Sequence, residues 1–374
     1  MWTHKYFSRL DFRLISIILV MMVISLLVIS STTQEGPEYI FFTRFVKNQL
    51  RAFLLGWGIF LFFAGFDYQK LREWTWILYL GMILALIGLY WMGPLNKVHR
   101  WYYLPILKMS IQPSEYAKLI VVLSLGWFLE KNSERMGQFL PSLQISLLVM
   151  FPFLLILKQP DLGSALVLVP IFLILAYLGG MHKKLFRFYL GGSVLVFLFV
   201  ITIFLGFISH KEAKPFFLKF MREYQYERLN PSTYHQNAAK TALAIGGIKG
   251  LGWKKSTFAS QKWLPAAHTD SVFSAYGEEF GLWGMGLLLL LFFALVYLGF
   301  SVCACAKDTY GCFLAAGLTV YFAMHMVMNI AMMCGFLPIS GVPLVLIAYG
   351  SNSVLVTMAA LGILQSIYIR RFMF

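Results

Sequence analysis

Lys262-Trp-Leu-Pro-Ala-Ala-His-Thr-Asp270, with Glu278-Glu279 close behind, lies in the only long hydrophilic segment of this 374-residue chain, about 209–276. Its reading decides the fold, because almost everything around that segment is apolar. The chain is 59% hydrophobic and only 13% charged, about half the charge of an average soluble protein. Apolar runs recur that are long enough to cross a hydrocarbon core of about 30 Å. Ten stand out, at about 14–31, 52–66, 74–93, 113–130, 141–157, 162–180, 188–208, 279–303, 311–333 and 342–368. The expected fold is all-α: a polytopic membrane protein of about ten transmembrane helices with one long extracytoplasmic loop. We read residues 1–374 as a single integral domain without tandem repeats.

Ten spans put both termini on one side, and Lys/Arg bias chooses the side. With the N-terminus in the cytoplasm, thirteen Lys/Arg fall on short cytoplasmic segments and seven on the opposite short loops. Both termini are therefore expected in the cytoplasm and the long loop outside a bacterial inner membrane. The first run has basic residues before it and no small-residue cleavage site, so it reads as a signal anchor. The net charge of +15 reflects this bias and ten Lys/Arg in the long loop. No basic domain able to dock a duplex is present, so nucleic acid is not an expected partner. Cys303, Cys305, Cys312 and Cys334 lack zinc spacing and read as packing residues. No ligand cluster marks a metal site, so no cofactor is assigned, with a divalent cation (Mg or Mn) as the alternative.

Within the loop, Phe217, Phe220, Met221 and Tyr224 recur at helical spacing across 211–229, among Lys219, Arg222 and Arg228. That pattern predicts an amphipathic helix in the headgroup layer. A short polar helix, Asn237–Ile245, follows and is broken by Gly246-Gly-Ile-Lys-Gly-Leu-Gly252. This is no P-loop, since the Gly-x4-Gly-Lys-Ser/Thr spacing is missing. It reads as a flexible turn, with phosphate binding by its backbone as the sharper alternative.

Ionisable side chains inside spans are costly and default to function. Glu115 and Lys118, at i, i+3 in Gln112-Pro-Ser-Glu-Tyr-Ala-Lys118, share one helix face and are able to neutralise each other. Pro113 suits a first helical turn. Asp161, after Lys158-Gln-Pro, suits an N-cap. His325 and Asn329 share a face of the ninth span, and His325 reads as a packing residue. Arg100-Trp101 is placed to anchor at the interface or to grip an anionic headgroup. His268 and Asp270 flank Thr269 at the membrane surface. One carboxylate among many cations suits sugar transfer from a diphosphate donor. The acceptor hydroxyl needs a base, and the leaving diphosphate needs only positive charge. A hydrolytic glycosidase would need two paired carboxylates.

Taken in order, the motifs resemble the SEDS family of cell-wall polymerases, the RodA and FtsW proteins. They are Arg100-Trp101, Gln112-Pro-Ser-Glu115 with Lys118, Gln159-Pro-Asp-Leu-Gly163, Tyr234-His235, Gly246-Gly247 with Gly250 and Gly252, Leu264-Pro265 with His268-Thr-Asp270, Glu278-Glu279, Asn329, Leu337-Pro338 and Gly341-Val-Pro343. The Tyr234-His235 pair and the lack of long cytoplasmic tails look more like the RodA branch. The resemblance implies a peptidoglycan glycosyltransferase that polymerises lipid II, with inversion, in cell elongation. It maps the family aspartate to Asp270. It makes Arg100, Glu115, Lys118, Asp161 and His268 candidates for substrate binding, and a class B penicillin-binding protein, a transpeptidase, the expected partner. Two departures stand out: Ala348-Tyr-Gly-Ser-Asn352 replaces the family's Ser-Tyr-Gly-Gly-Ser, and Ala266 stands where Glu is common. Rival expectations are a lipid-linked precursor transporter (flippase) and a non-catalytic scaffold for a transpeptidase.

Overall fold

The computed structural model describes residues 9–34, 40–91, 100–104, 109–159, 161–204, 207, 214, 226, 230 and 233–372. Its helices are α1 (Phe12–Thr32), α2 (Arg44–Gly65), α3 (Tyr68–Gly88), α4 (Pro113–Lys131), α5 (Phe139–Lys158), α6 (Leu162–Leu178), α7 (Lys183–Phe204), α8 (Tyr234–Gly246), α9 (Val272–Ala304), α10 (Thr309–Cys334) and α11 (Ser351–Arg370). Two short antiparallel strands, β1 (Tyr102–Leu104) and β2 (Met109–Ile111), form a hairpin between α3 and α4 that the sequence reading did not anticipate. The ten apolar runs fall on α1–α7 and α9–α11. Among the described residues, seven helices are long and apolar enough to cross a membrane. The other three are α6, at 17 residues, α2, which opens on three cations, and α4, which carries Glu115, Lys118, Glu130 and Lys131. The amphipathic helix expected over 211–229 lies outside the described residues, apart from Lys214 and Tyr226.

Local chemistry explains the helix starts. Asp11, Thr43, Asp67, Asp161, Thr233 and Asp308 sit at N-caps, each accepting from a backbone N–H two or three residues on. Each satisfies a donor that helix geometry leaves orphaned. Pro113 opens α4, where its missing N–H costs nothing. Packing then ranks the helices. α10 and α11 are the most enclosed, and α7 is the least. α7 turns Phe188, Leu195 and Phe197 outward, as suits a lipid-facing helix. α2 lies against α11, where a Cβ at Gly362 would meet the Phe60 carbonyl at 2.7 Å. Small residues of this kind let membrane helices approach closely.

Two expectations are corrected. The run 342–368 was read as one continuous span, but α11 begins only at Ser351, and 336–350 is irregular and largely buried. Gly341, Pro343 and Gly350 break the helix there. Irregular backbone at membrane depth persists where protein groups satisfy it, and here they do. Ser25 donates to the Ile347 carbonyl (2.8 Å), Gln49 to that of Ala348 (3.4 Å) and Asn329 to that of Val342 (2.8 Å), while the Tyr349 N–H donates to the His268 carbonyl (2.8 Å).

The second correction concerns the glycine turn. α9 starts at Val272, before the expected 279, and breaks at Gly281 (φ 62°). The 246–252 turn packs its backbone into that break. Leu251 and Gly252 N–H donate to the Glu278 and Glu279 carbonyls (3.0 and 2.9 Å), and Leu282 N–H donates to that of Gly247 (2.9 Å). A Cβ at Gly250 (φ 75°) would collide with the Glu279 carbonyl. These glycines serve a backbone splice, which argues against the flexible-turn and phosphate readings alike.

Candidate functional site

A cavity of about 1220 Å³ opens between the hairpin, α2, the starts of α4 and α6, the Thr269-Asp270 turn and the irregular segment before α11. Small-molecule pockets run to about 1,000 Å³, so this one has room for a large headgroup. Arg100, Glu115, Lys118, Asp161 and Asp270 all line it. The sequence reading named these five from four motifs, and the fold gathers them around one space. His268 is not among the lining residues. Its ring packs between Phe45 and Tyr349, at 4.8 and 5.6 Å between centroids. Burial lowers its pKa against the opposing pull of Asp270.

Glu115 and Lys118 face the cavity from the first turns of α4. The ammonium lies 2.7 Å from Glu115 Oε1, and both side chains are buried. Lys118 Nζ also lies 2.9 Å from His325 Nε2 on α10, so His325, read from sequence as a packing residue, belongs to this cluster. Asp161 caps α6 and gathers donors. Gln112 and Ser114 donate to its Oδ2 (2.7 and 2.6 Å), and the Ser164 N–H donates to Oδ1 (3.4 Å). Burial alone would raise its pKa. The Arg100 charge, the Ser114 bond, Lys118 and the Ser164 bond outweigh that and hold it below the usual carboxylate value. Arg100 itself is steadied by the Gln159 carbonyl, 3.0 Å from its Nε.

Asp270 is half-buried, in a tight turn that precedes α9. Ala266 adopts φ 50°, and the Thr269 and Ser271 N–H groups both donate to its carbonyl (3.0 and 3.1 Å). Asn329 donates to the Asp270 carbonyl at 3.0 Å. Ser271 Oγ donates to the Pro265 carbonyl (2.8 Å), so its contact with His235 Nε2 (2.6 Å) is one it accepts. The Tyr-His pair thus braces the Asp270 turn. Glu278 and Glu279 lie elsewhere. Glu278 Oε1 accepts from the Thr257 and Phe258 N–H groups (2.6 and 2.8 Å), and Glu279 Oε1 accepts from that of Lys254 (3.2 Å). They fasten the end of the loop to α9 and do not line the cavity.

The sequence reading missed one wall. Arg44, Lys47 and Arg51 line the cavity from α2 and are exposed. Their i, i+3, i+7 spacing puts them on one helix face, a signal available in the sequence but counted there only toward topology. Asn352, in the divergent motif, also lines the cavity, and its Nδ2 donates to the Ser110 carbonyl of the hairpin at 2.6 Å. The lining therefore carries five cations (Arg44, Lys47, Arg51, Arg100 and Lys118) against three carboxylates (Glu115, Asp161 and Asp270). Among the described residues no three His, Cys, Asp or Glu cluster as metal ligands. Cys303 and Cys312 Sγ lie 2.8 Å apart, and all four cysteines are free thiols.

Comparison with known proteins adds the following. The profile of the FtsW/RodA/SpoVE family, described as cell cycle proteins, matches residues 8–371. Peptidoglycan glycosyltransferase MrdB of Escherichia coli K12 is 31% identical over 375 residues, covering 97% of this chain and 94% of the relative. Peptidoglycan glycosyltransferase RodA of Treponema pallidum is 28% identical, covering 97% and 98%. Among solved structures, a peptidoglycan synthase complex described as coordinating polymerization and crosslinking superposes with a TM-score of 0.75 at 21% identity, over 98% of this chain and 99% of the other. The crystal structure of Thermus thermophilus rod shape determining protein RodA gives 0.72 at 22%, over 98% of each chain.

Proposed function

The chain belongs to the FtsW/RodA/SpoVE family of cell cycle proteins, the SEDS family, and from that premise we propose that its cavity polymerises lipid II on the outer face of the cytoplasmic membrane. The activity itself, peptidoglycan glycosyl transfer in cell elongation, is that of its MrdB and RodA relatives. The observation that carries the finer reading is the cavity's charge: Asp270 shares one space with five cations.

The chemistry follows from that distribution. The acceptor sugar hydroxyl attacks the anomeric carbon of the donor. Asp270 takes the hydroxyl proton as the new C–O bond forms. The bond from the anomeric carbon to the diphosphate breaks, and its electron pair leaves with the diphosphate, which gains one negative charge. Arg100 and Lys118 face that charge, and preorganised cations aimed where charge develops stabilise the transition state. One direct displacement inverts the anomeric configuration. Glu115 tempers Lys118, and Asp161 sets an opposing charge near Arg100, which the Gln159 carbonyl holds in place. His268 supports the turn from behind, through its stacking on Phe45 and Tyr349. A Mg²⁺ or Mn²⁺ ion arriving on the diphosphate would need only one or two protein carboxylates; Glu115 and Asp161 are the lining carboxylates that the displacement itself does not use.

We place both termini in the cytoplasm and the loop of about 209–276 outside. A class B penicillin-binding protein, a transpeptidase, is the proposed partner, supported by the synthase complex with which this fold superposes. The test is incubation of the purified protein with labelled lipid II, with and without such a partner. Glycan chains are expected. Their absence from both reactions of a well-folded preparation overturns the reading.

A further inference from the structure

We infer that His325 is a positioning residue for the polymerase: it fixes the rotation of the Lys118 ammonium and so aims one N–H at the diphosphate in the cavity. This role rests on the polymerase reading above. Both ring nitrogens are engaged. Nδ1 lies 3.1 Å from the Pro343 carbonyl, and Nε2 lies 2.9 Å from Lys118 Nζ. A carbonyl only accepts and an ammonium only donates. The proton therefore sits on Nδ1, Nε2 presents a lone pair, and the ring is neutral. Tyr321 packs edge-on against the ring at 4.6 Å, which holds its plane.

The consequence falls on Lys118. An ammonium has three N–H donors in tetrahedral array. Glu115 Oε1 takes one at 2.7 Å and His325 Nε2 takes another. Two fixed bonds stop rotation about the Cε–Nζ bond and set the direction of the third. Lys118 and Pro343 both line the cavity, so His325 ties the ammonium to the irregular segment that forms the adjoining wall. Without His325 the ammonium keeps one hydrogen bond, to Glu115, and a non-directional contact with the Tyr321 ring at 5.5 Å, and neither fixes its rotation.

A purely structural role is the competing account, because the Pro343 carbonyl lies in the buried irregular segment and needs a donor. The two roles use different nitrogens, so variants separate them. His325→Gln carries an amide acceptor within reach of the Nε2 position, whereas His325→Asn carries an amide donor near the Nδ1 position. His325→Leu keeps neither. The full-length variants are compared for kcat, KM and Tm with labelled lipid II. Affinity for undecaprenyl diphosphate, the leaving anion, is measured without turnover.

A small misplacement of a catalytic group can lower the rate about 10²-fold, and we expect losses of that order in kcat for Asn and Leu. KM should change little, because the charge on the diphosphate rises in the transition state. Gln should recover most of the loss, and undecaprenyl diphosphate affinity should follow the same order. Recovery by Asn and not by Gln, or kcat that merely tracks Tm across the three, overturns the inference. Failure of the wild type to make glycan removes the polymerase reading instead. The diphosphate binding order then still tests whether His325 aims Lys118.

Discussion

At the scale of single residues, Asp270 and Lys118 divide the work by environment. Asp270 is half-buried, and backbone contacts hold its turn at the cavity, where the proposed chemistry uses its carboxylate. Asp270→Asn keeps the shape and removes the base. We expect polymer yield to fall about 10²–10⁴-fold, with lipid II binding and Tm retained. Near-normal glycan synthesis by the folded variant would remove Asp270 as the base. A transporter would behave differently, keeping lipid movement in this variant and losing it when Glu115 or Lys118 is changed. Those two form a buried pair, and breaking such a pair from one side costs about 3–5 kcal/mol. Glu115→Gln should therefore lower Tm and expression, and the double change with Lys118→Met should recover part of both. Strict additivity would mean that the two do not interact.

His268 carries a pH signature. Its folded pKa lies below 6.5 because of burial, partly opposed by Asp270. The unfolded chain thus takes up the proton first as pH falls. The stability tied to the neutral ring is complete above about 6.5 and is lost as pH drops from there toward the folded value. Tm measured from pH 7.5 to 5.5 should fall, and His268→Phe should flatten that slope. An equal slope in both proteins would place the titration elsewhere.

At the scale of elements, the start of α2 is the decisive one. A helix that opens on Arg44, Lys47 and Arg51 makes a poor lipid-facing surface but a good cavity wall for a polyanion. Charge-assisted hydrogen bonds are worth about 1.5–3 kcal/mol, and tenfold in affinity is about 1.4 kcal/mol. Changing Lys47 or Arg51 to Gln should therefore weaken binding of lipid-linked diphosphate about tenfold for each side chain that touches it. Binding to plain anionic vesicles should change far less. Equal losses on both would make the stripe a headgroup anchor. The α9 break is the second instructive element, because part of the backbone of α9 and of the 246–252 turn is satisfied only by the other.

At the scale of the whole molecule, the arrangement depends on orientation. A cavity that serves lipid-linked sugar outside the cell must open with the long loop on that face. Cysteine placed at exposed Lys262, in a cysteine-free background, should react with a membrane-impermeant reagent in intact cells. Cysteine at Lys183 should react only after permeabilisation. The reverse pattern would invert the topology.

The helical, membrane-spanning class of the molecule was legible in its pattern of apolar runs. Long apolar runs leave few solutions in a bilayer, because lipid satisfies no backbone group, and a helix satisfies its own. Helix identity, the Asp161 cap and the Glu115–Lys118 pair were legible because their partners are near in sequence; Asp270 was legible through its ordered motifs, while Asn329, which holds its turn, is distant. The tertiary structure decided what depends on distant partners. His325 gained a role only when α10 met α4. The irregular 336–350 segment is possible only because Ser25, Gln49 and Asn329 reach its carbonyls from other helices. The α2 stripe became a wall only when α2 closed against the segment before α11. Helical periodicity gives a residue its face, but only packing gives that face its neighbour.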